Sequence, residues 1–75
     1  MMKMGERIGR KDTNGREVCL GNIIKNVEGT VFKVGKGMDG TYFEEIKTKE
    51  RIWLSEIVLV WDMLGFEIMD IGVVK

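Results

Sequence analysis

Apolar and polar residues alternate along much of this chain in short stretches, with breaks at glycine. A period of two places successive side chains on opposite faces of a strand, so each stretch predicts a short β-strand. The chain becomes extended near Arg7, and Asp12-Thr13-Asn14-Gly15 then marks a turn. Asp can accept from its own backbone there, and Asn-Gly tolerates a positive φ and suits a two-residue hairpin. Residues 17–20 form a strand, Gly21-Asn22 breaks it, and residues 23–26 follow as another strand or as a continuation past a bulge. After a turn at Gly29, residues 30–34 put Phe32 and Val34 on one face and Val31 and Lys33 on the other.

Residues 35–40 hold three glycines and read as a flexible hairpin loop. In the return strand, residues 41–46, Tyr42, Glu44 and Ile46 share one face, and Thr41, Phe43 and Glu45 the other. A charged tip leads to residues 51–54, where Ile52 and Leu54 point inward. Ser55 and Glu56 can open one helical turn, Ser as its cap and Glu at its positive end. Residues 57–61 are continuously apolar and read as a strand buried on both faces. Residues 66–69 and 71–74 supply the last strands, and no stretch shows helical periodicity over three turns. The expected fold is all-β: one domain over residues 1–75, a small antiparallel barrel of five to six short strands, with residues 1–6 loose.

Composition agrees with strands. Eight Ile, eight Val and four Thr stand against no alanine; branched side chains suit a pleated surface, whereas alanine is the best helix former. The formal net charge is zero, but residues 1–37 carry +4 and residues 38–75 carry −4. These charges either cancel across neighbouring strands or leave a basic N-terminal side. Cys19 is alone, which leaves no internal disulfide or cysteine cluster and fits a small buried side chain in a reducing compartment. The opening residues lack an apolar signal core and no apolar run approaches a membrane span, so the expectation is a cytoplasmic chain.

The residue inventory is poor in catalytic groups. There is no histidine, which removes the commonest general base and any Ser-His or Cys-His pair. Ser55 is the only serine and sits where a cap is needed. Glu44 and Glu45 point to opposite strand faces and cannot act as an acid/base pair. The acids follow no metal-loop spacing, and Gly35-Lys36-Gly37 lacks the spacing of a phosphate loop. No catalytic residue, metal site or cofactor is expected.

The segment IGRKDTNGREVCLGNIIK, residues 8–25, resembles the opening of YopX-type phage proteins, whose pattern runs D-x-N-G-K-E-I-x-x-G-D-I-V. Asp12, Asn14, Gly15, Arg16, Glu17, Val18, Gly21, Ile23 and Ile24 carry the likeness, with Asn22 where that family has Asp. The tail GFEIMDIGVV resembles the family's closing strand, with Asp70 in place of a glycine. The resemblance covers about a third of the chain and implies a phage or prophage origin and an SH3-like fold, but no activity. GNIIKNVEGTVFKV likewise looks like the G-D-x-V … G-x-V pattern of SH3-like and KOW-type barrels, and KERIWLSEIVLV resembles their closing strand, helical turn and strand.

These readings favour a binding protein. Alternation turns Trp53 outward as a docking anchor, unless it closes the barrel end as core. Tyr42 and Glu44 share an outward face, giving an aromatic patch rimmed by acids that docks a partner protein; for a phage protein, a host factor or defence component is the expected partner. Trp53, residues 57–61 and residues 71–74 are more apolar surface than one small barrel hides, which suggests a homodimer. The second reading is nucleic-acid binding through Arg7, Arg10, Lys11, Arg16 and Lys36, with Phe32, Tyr42 or Phe43 stacking on bases. The third is an oligomeric binder of a small nucleotide, with the glycine loop facing the ligand.

Overall fold

Two hairpin turns of one design set the register of the first four strands. The computed structural model describes residues 5–69. In it β1 (Arg7–Lys11) pairs antiparallel with β2 (Glu17–Cys19), and β3 (Ile23–Lys25) with β4 (Val31–Gly37). In the first turn the Gly15 N–H donates to Asp12 O and the Asp12 N–H to Arg16 O. In the second the Gly29 N–H donates to Asn26 O and the Asn26 N–H to Thr30 O. Gly15 and Gly29 have φ of 83° and 91°, a conformation that favours glycine. Both are thus three-residue hairpins closed by a left-handed glycine, not the two-residue Asn-Gly turn expected at Asn14.

β5 (Gly40–Glu45) and β6 (Arg51–Trp53) extend the second pair, and β7 (Glu67–Ile68) adds to β3. The result is an all-β antiparallel fold with seven strands among the described residues, a two-stranded sheet β1-β2 and a five-stranded sheet in the order β6-β5-β4-β3-β7. No ladder among the described residues joins β6 to β7. The expected six-residue glycine loop is almost absent. Lys36 pairs with Thr41 and Gly37 with Gly40, so only Met38 and Asp39 turn the chain. Of the expected loose N-terminus, residues 1–4 lie outside the described residues, while Gly5 and Glu6 exchange backbone hydrogen bonds with Leu20. The strand expected over residues 71–74 also lies outside them.

The apolar run 57–61 is helical, not a strand. α1 (Leu54–Ile57), a 3-10 turn (Val58–Val60) and α2 (Trp61–Leu64) follow one another. Leu54, Ile57, Trp61 and Leu64 pack on the core, a spacing of three, four and three that belongs to one helical face. The expected helical turn at Ser55 is present, but Ser55 does not cap it. Trp53 takes the cap position, and its backbone N–H donates to the Glu56 carboxylate (3.1 Å).

The core comprises Val18, Leu20, Ile24, Phe32, Val34, Phe43, Trp61 and Phe66. Phe66 stacks on Phe43 (centroids 5.5 Å apart) and meets Trp61 (4.8 Å) and the edge of Phe32 (5.8 Å). The Trp61 Nε1–H donates to Lys11 O (2.8 Å), which ties the helical segment to β1. Phe32, Val34 and Phe43 point inward as alternation requires, and their strand neighbours therefore form an outer face.

Candidate functional site

That outer face is built in rows by the register. Gly35, Tyr42 and Trp53 lie opposite one another across β4, β5 and β6. The next row is Lys33, Glu44 and Arg51. Tyr42 and Trp53 are half-buried and meet edge to face, with centroids 5.6 Å apart at 78°. The Arg51 Cζ lies 4.1 Å from the centre of the Tyr42 ring, and its Nε donates to a Glu44 oxygen at 3.0 Å. Arg51 thus meets both the face of the Tyr42 ring and the Glu44 carboxylate.

Glycine makes the row possible. A Cβ on Gly35 would lie 2.6 Å from Cζ of Tyr42, whereas one on Gly37 would make an ordinary contact with the Trp53 ring at 3.6 Å. The Tyr42 ring therefore lies over bare backbone and under a guanidinium. Beside it runs an open groove of about 230 Å³, lined by Leu20, Gly21, Lys33, Gly35, Lys36 and Tyr42 among others.

Trp53, Tyr42 and Glu44 thus come together, with Trp53 outside the core cluster. The expected rim of acids is mixed, because Lys33 and Arg51 flank Glu44 in its own row. Arg51 was missed, although it is two residues before Trp53 and must share its face. In the sequence Gly35 and Gly37 read as loop, because nothing in a single strand shows which ring will cross the backbone.

The basic set is less concentrated. Arg7, Arg10 and Lys11 share β1, but Arg7 pairs with Glu17 (2.7 Å) and Lys36 with Glu6 (3.4 Å). The Arg16 guanidinium donates to Ile68 O (3.1 Å) and lies 3.9 Å from Asp12. Of the aromatics expected near these charges, Phe32 and Phe43 are buried, and only Tyr42 faces outward. Cys19 is a free, half-buried thiol, not a fully buried one.

Asp12 is the one buried charged group among the described residues, 6% exposed. One carboxylate oxygen accepts the N–H groups of Asn14 (2.9 Å) and Arg16 (2.8 Å), and the other accepts that of Ile68 (3.0 Å). Burial pushes its pKa up, but the three N–H groups and the Arg16 guanidinium outweigh burial and hold it below its ordinary value. With every oxygen committed to backbone, Asp12 is a structural clamp between the first hairpin and β7.

Among the described residues no three Cys, Asp or Glu side chains converge on a point where a metal ion could sit, and no helix is long and apolar enough to cross a membrane. A scan against protein-family models gives no match, and a search of solved structures gives none.

Proposed function

We propose that this chain is a non-enzymatic binding protein that docks a partner protein through the Tyr42–Trp53 face. The observation that carries this reading is the outward edge-to-face aromatic pair, its Tyr42 ring seated over Gly35, bordered by Lys33, Glu44 and Arg51. Interface anchors are typically Trp, Tyr and Arg in a partly desolvated setting, and three of them meet here. The likeness to YopX-type phage proteins, with the SH3-like fold it implies, suggests a phage setting, the host cytoplasm, and a host factor or defence component as partner.

The nucleic-acid reading has weaker support. Arg7, Arg16 and Lys36 each lie beside an acid, and Arg51 already covers the Tyr42 ring on which a base would stack. The nucleotide reading loses its mobile loop, since Gly35 and Gly37 belong to a paired strand. Self-association has its own support in the exposed side chains of Leu59, Val60 and Met63.

The test is affinity capture from host lysate with the native chain beside Trp53→Ala, repeated across a salt series. Docking predicts a protein retained by the native chain at high salt and lost by the variant. Equal recovery by both chains overturns the site. Capture that falls with salt by a log–log slope of about −0.7 to −0.9 per phosphate contacted assigns the chain to nucleic acid instead.

A further inference from the structure

We infer that the groove beside Tyr42 takes an acidic side chain from an extended segment of the docked partner, with Lys33 as the cation that recognises it. This deepens the docking reading and rests on it. The groove runs past Gly21 and Gly35, with the Tyr42 ring that lies over Gly35 as one of its walls. Its lining includes the backbone of Gly21 and Gly35 beside Leu20 and Val34, whose side chains belong to the core. Backbone groups there are already satisfied: the Gly21 N–H donates to Val34 O and the Val34 N–H to Asn22 O. Selectivity must therefore come from the walls.

The walls favour an anion. Glu44 is held by Arg51 at 3.0 Å. Lys33 lies opposite Glu44 in the register yet has no acid within 4 Å among the described residues, and it is exposed. Lys36 closes one end, held only by an exposed pairing with Glu6 at 3.4 Å, a kind of contact that contributes little and exchanges readily. An incoming carboxylate meets the Lys33 ammonium, which has no acid partner within 4 Å among the described residues; an incoming cation meets only Glu44, which Arg51 already engages. At about 230 Å³ the space falls below the roughly 300–1,000 Å³ of small-molecule sites, so it admits one or two side chains and not a nucleotide.

The probe is the synthetic peptide acetyl-SDLDS-amide, followed by amide chemical-shift changes in the intact chain, with acetyl-SKLKS-amide, ATP and a short oligothymidylate as comparisons. The acidic peptide should shift the amides of Gly21, Lys33, Gly35, Lys36 and Tyr42. Lys33→Glu should weaken it at least tenfold, and Lys33→Arg should retain it; both exchanges are at an exposed position and leave the core untouched. The inference is overturned if the acidic peptide gives no shifts at millimolar concentration or shifts another surface. It is equally overturned if the basic peptide binds as well, if Lys33→Glu changes nothing, or if ATP or the oligonucleotide takes the groove more tightly. Should the peptide fail while Trp53→Ala still loses its partner from lysate, the acidic-segment inference falls and the docking face stands.

Discussion

Asp12 and Asn26 occupy the same position in two copies of one turn, and one further hydrogen bond separates them. Each uses one side-chain oxygen to accept two backbone N–H groups, those of Asn14 and Arg16 or of Glu28 and Thr30. An amide suffices for that. Only Asp12 has a second acceptor oxygen in use, on the Ile68 N–H. Asp12→Asn turns an amide NH₂ toward that donor and leaves it unsatisfied, so chemical unfolding should show a loss of about 1–3 kcal/mol. Asn26→Asp, whose turn bonds are retained, should cost far less. The pH dependence follows from the same contacts. The folded-state pKa of Asp12 lies below its ordinary value of 3.8. Its contribution is therefore fully present above that value and disappears as pH falls through the lower, folded-state pKa. Urea midpoints measured downward from about pH 5 should fall more steeply for the native chain than for Asp12→Asn. Parallel acid limbs would assign the acid sensitivity to other carboxylates.

At the scale of elements, the two tryptophans separate what alternation reveals from what it hides. Trp53 lies on a strand, and the inward Ile52 beside it was enough to turn it outward. Trp61 ends the apolar run 57–61, where β-branched residues and unbroken hydrophobicity read as a buried strand. The helical spacing of Leu54, Ile57, Trp61 and Leu64 was present, but Val58, Leu59 and Val60 fill the positions between them and conceal the period. The turns at Asp12 and Gly29 and the facing of Phe32, Val34 and Phe43 were legible because each depends on neighbours in sequence. The Gly35–Tyr42 crossing was not, because it depends on the register that a two-residue turn at Met38 and Asp39 fixes, where the three glycines read as a longer loop. Trp61→Ala should therefore cost about 3–5 kcal/mol in chemical unfolding. Trp53→Ala, which loses chiefly its edge contact with Tyr42, should cost about 0.5–1.5 kcal/mol. Similar losses at both positions would place Trp53 in the core. Gly35→Ala should cost about 1–3 kcal/mol through its overlap with the Tyr42 ring. The double variant Gly35→Ala/Tyr42→Ala should be more stable than the two single losses summed, since the second change removes what the first collides with.

For the whole molecule, the helical segment raises the question of what covers its outer side. Its inward stripe is used by the core, which leaves Leu59 96% and Met63 78% exposed, with Val60 between them in the chain. A small domain has too little interior to take them in. Glu56 and Asp62 are the exposed charges of this segment, and no Lys or Arg occurs between Ile52 and Met69. A symmetric dimer through this face would set apolar ridge on apolar ridge and bring like charges together. Burial then drives the pairing while carboxylate repulsion opposes it, and salt screens the repulsion far more than it alters the apolar contact. Self-association should therefore strengthen as ionic strength rises, the reverse of the trend for a phosphate-binding surface. Sedimentation equilibrium at low and high salt should show the average mass rising toward that of a dimer, and Leu59→Ser with Met63→Ser should return it to that of a monomer. Both residues are solvent-facing, so their exchange leaves the core packing intact and the loss of mass reports the interface. A native chain that stays monomeric at every salt concentration up to hundreds of micromolar protein excludes the homodimer and leaves this ridge free.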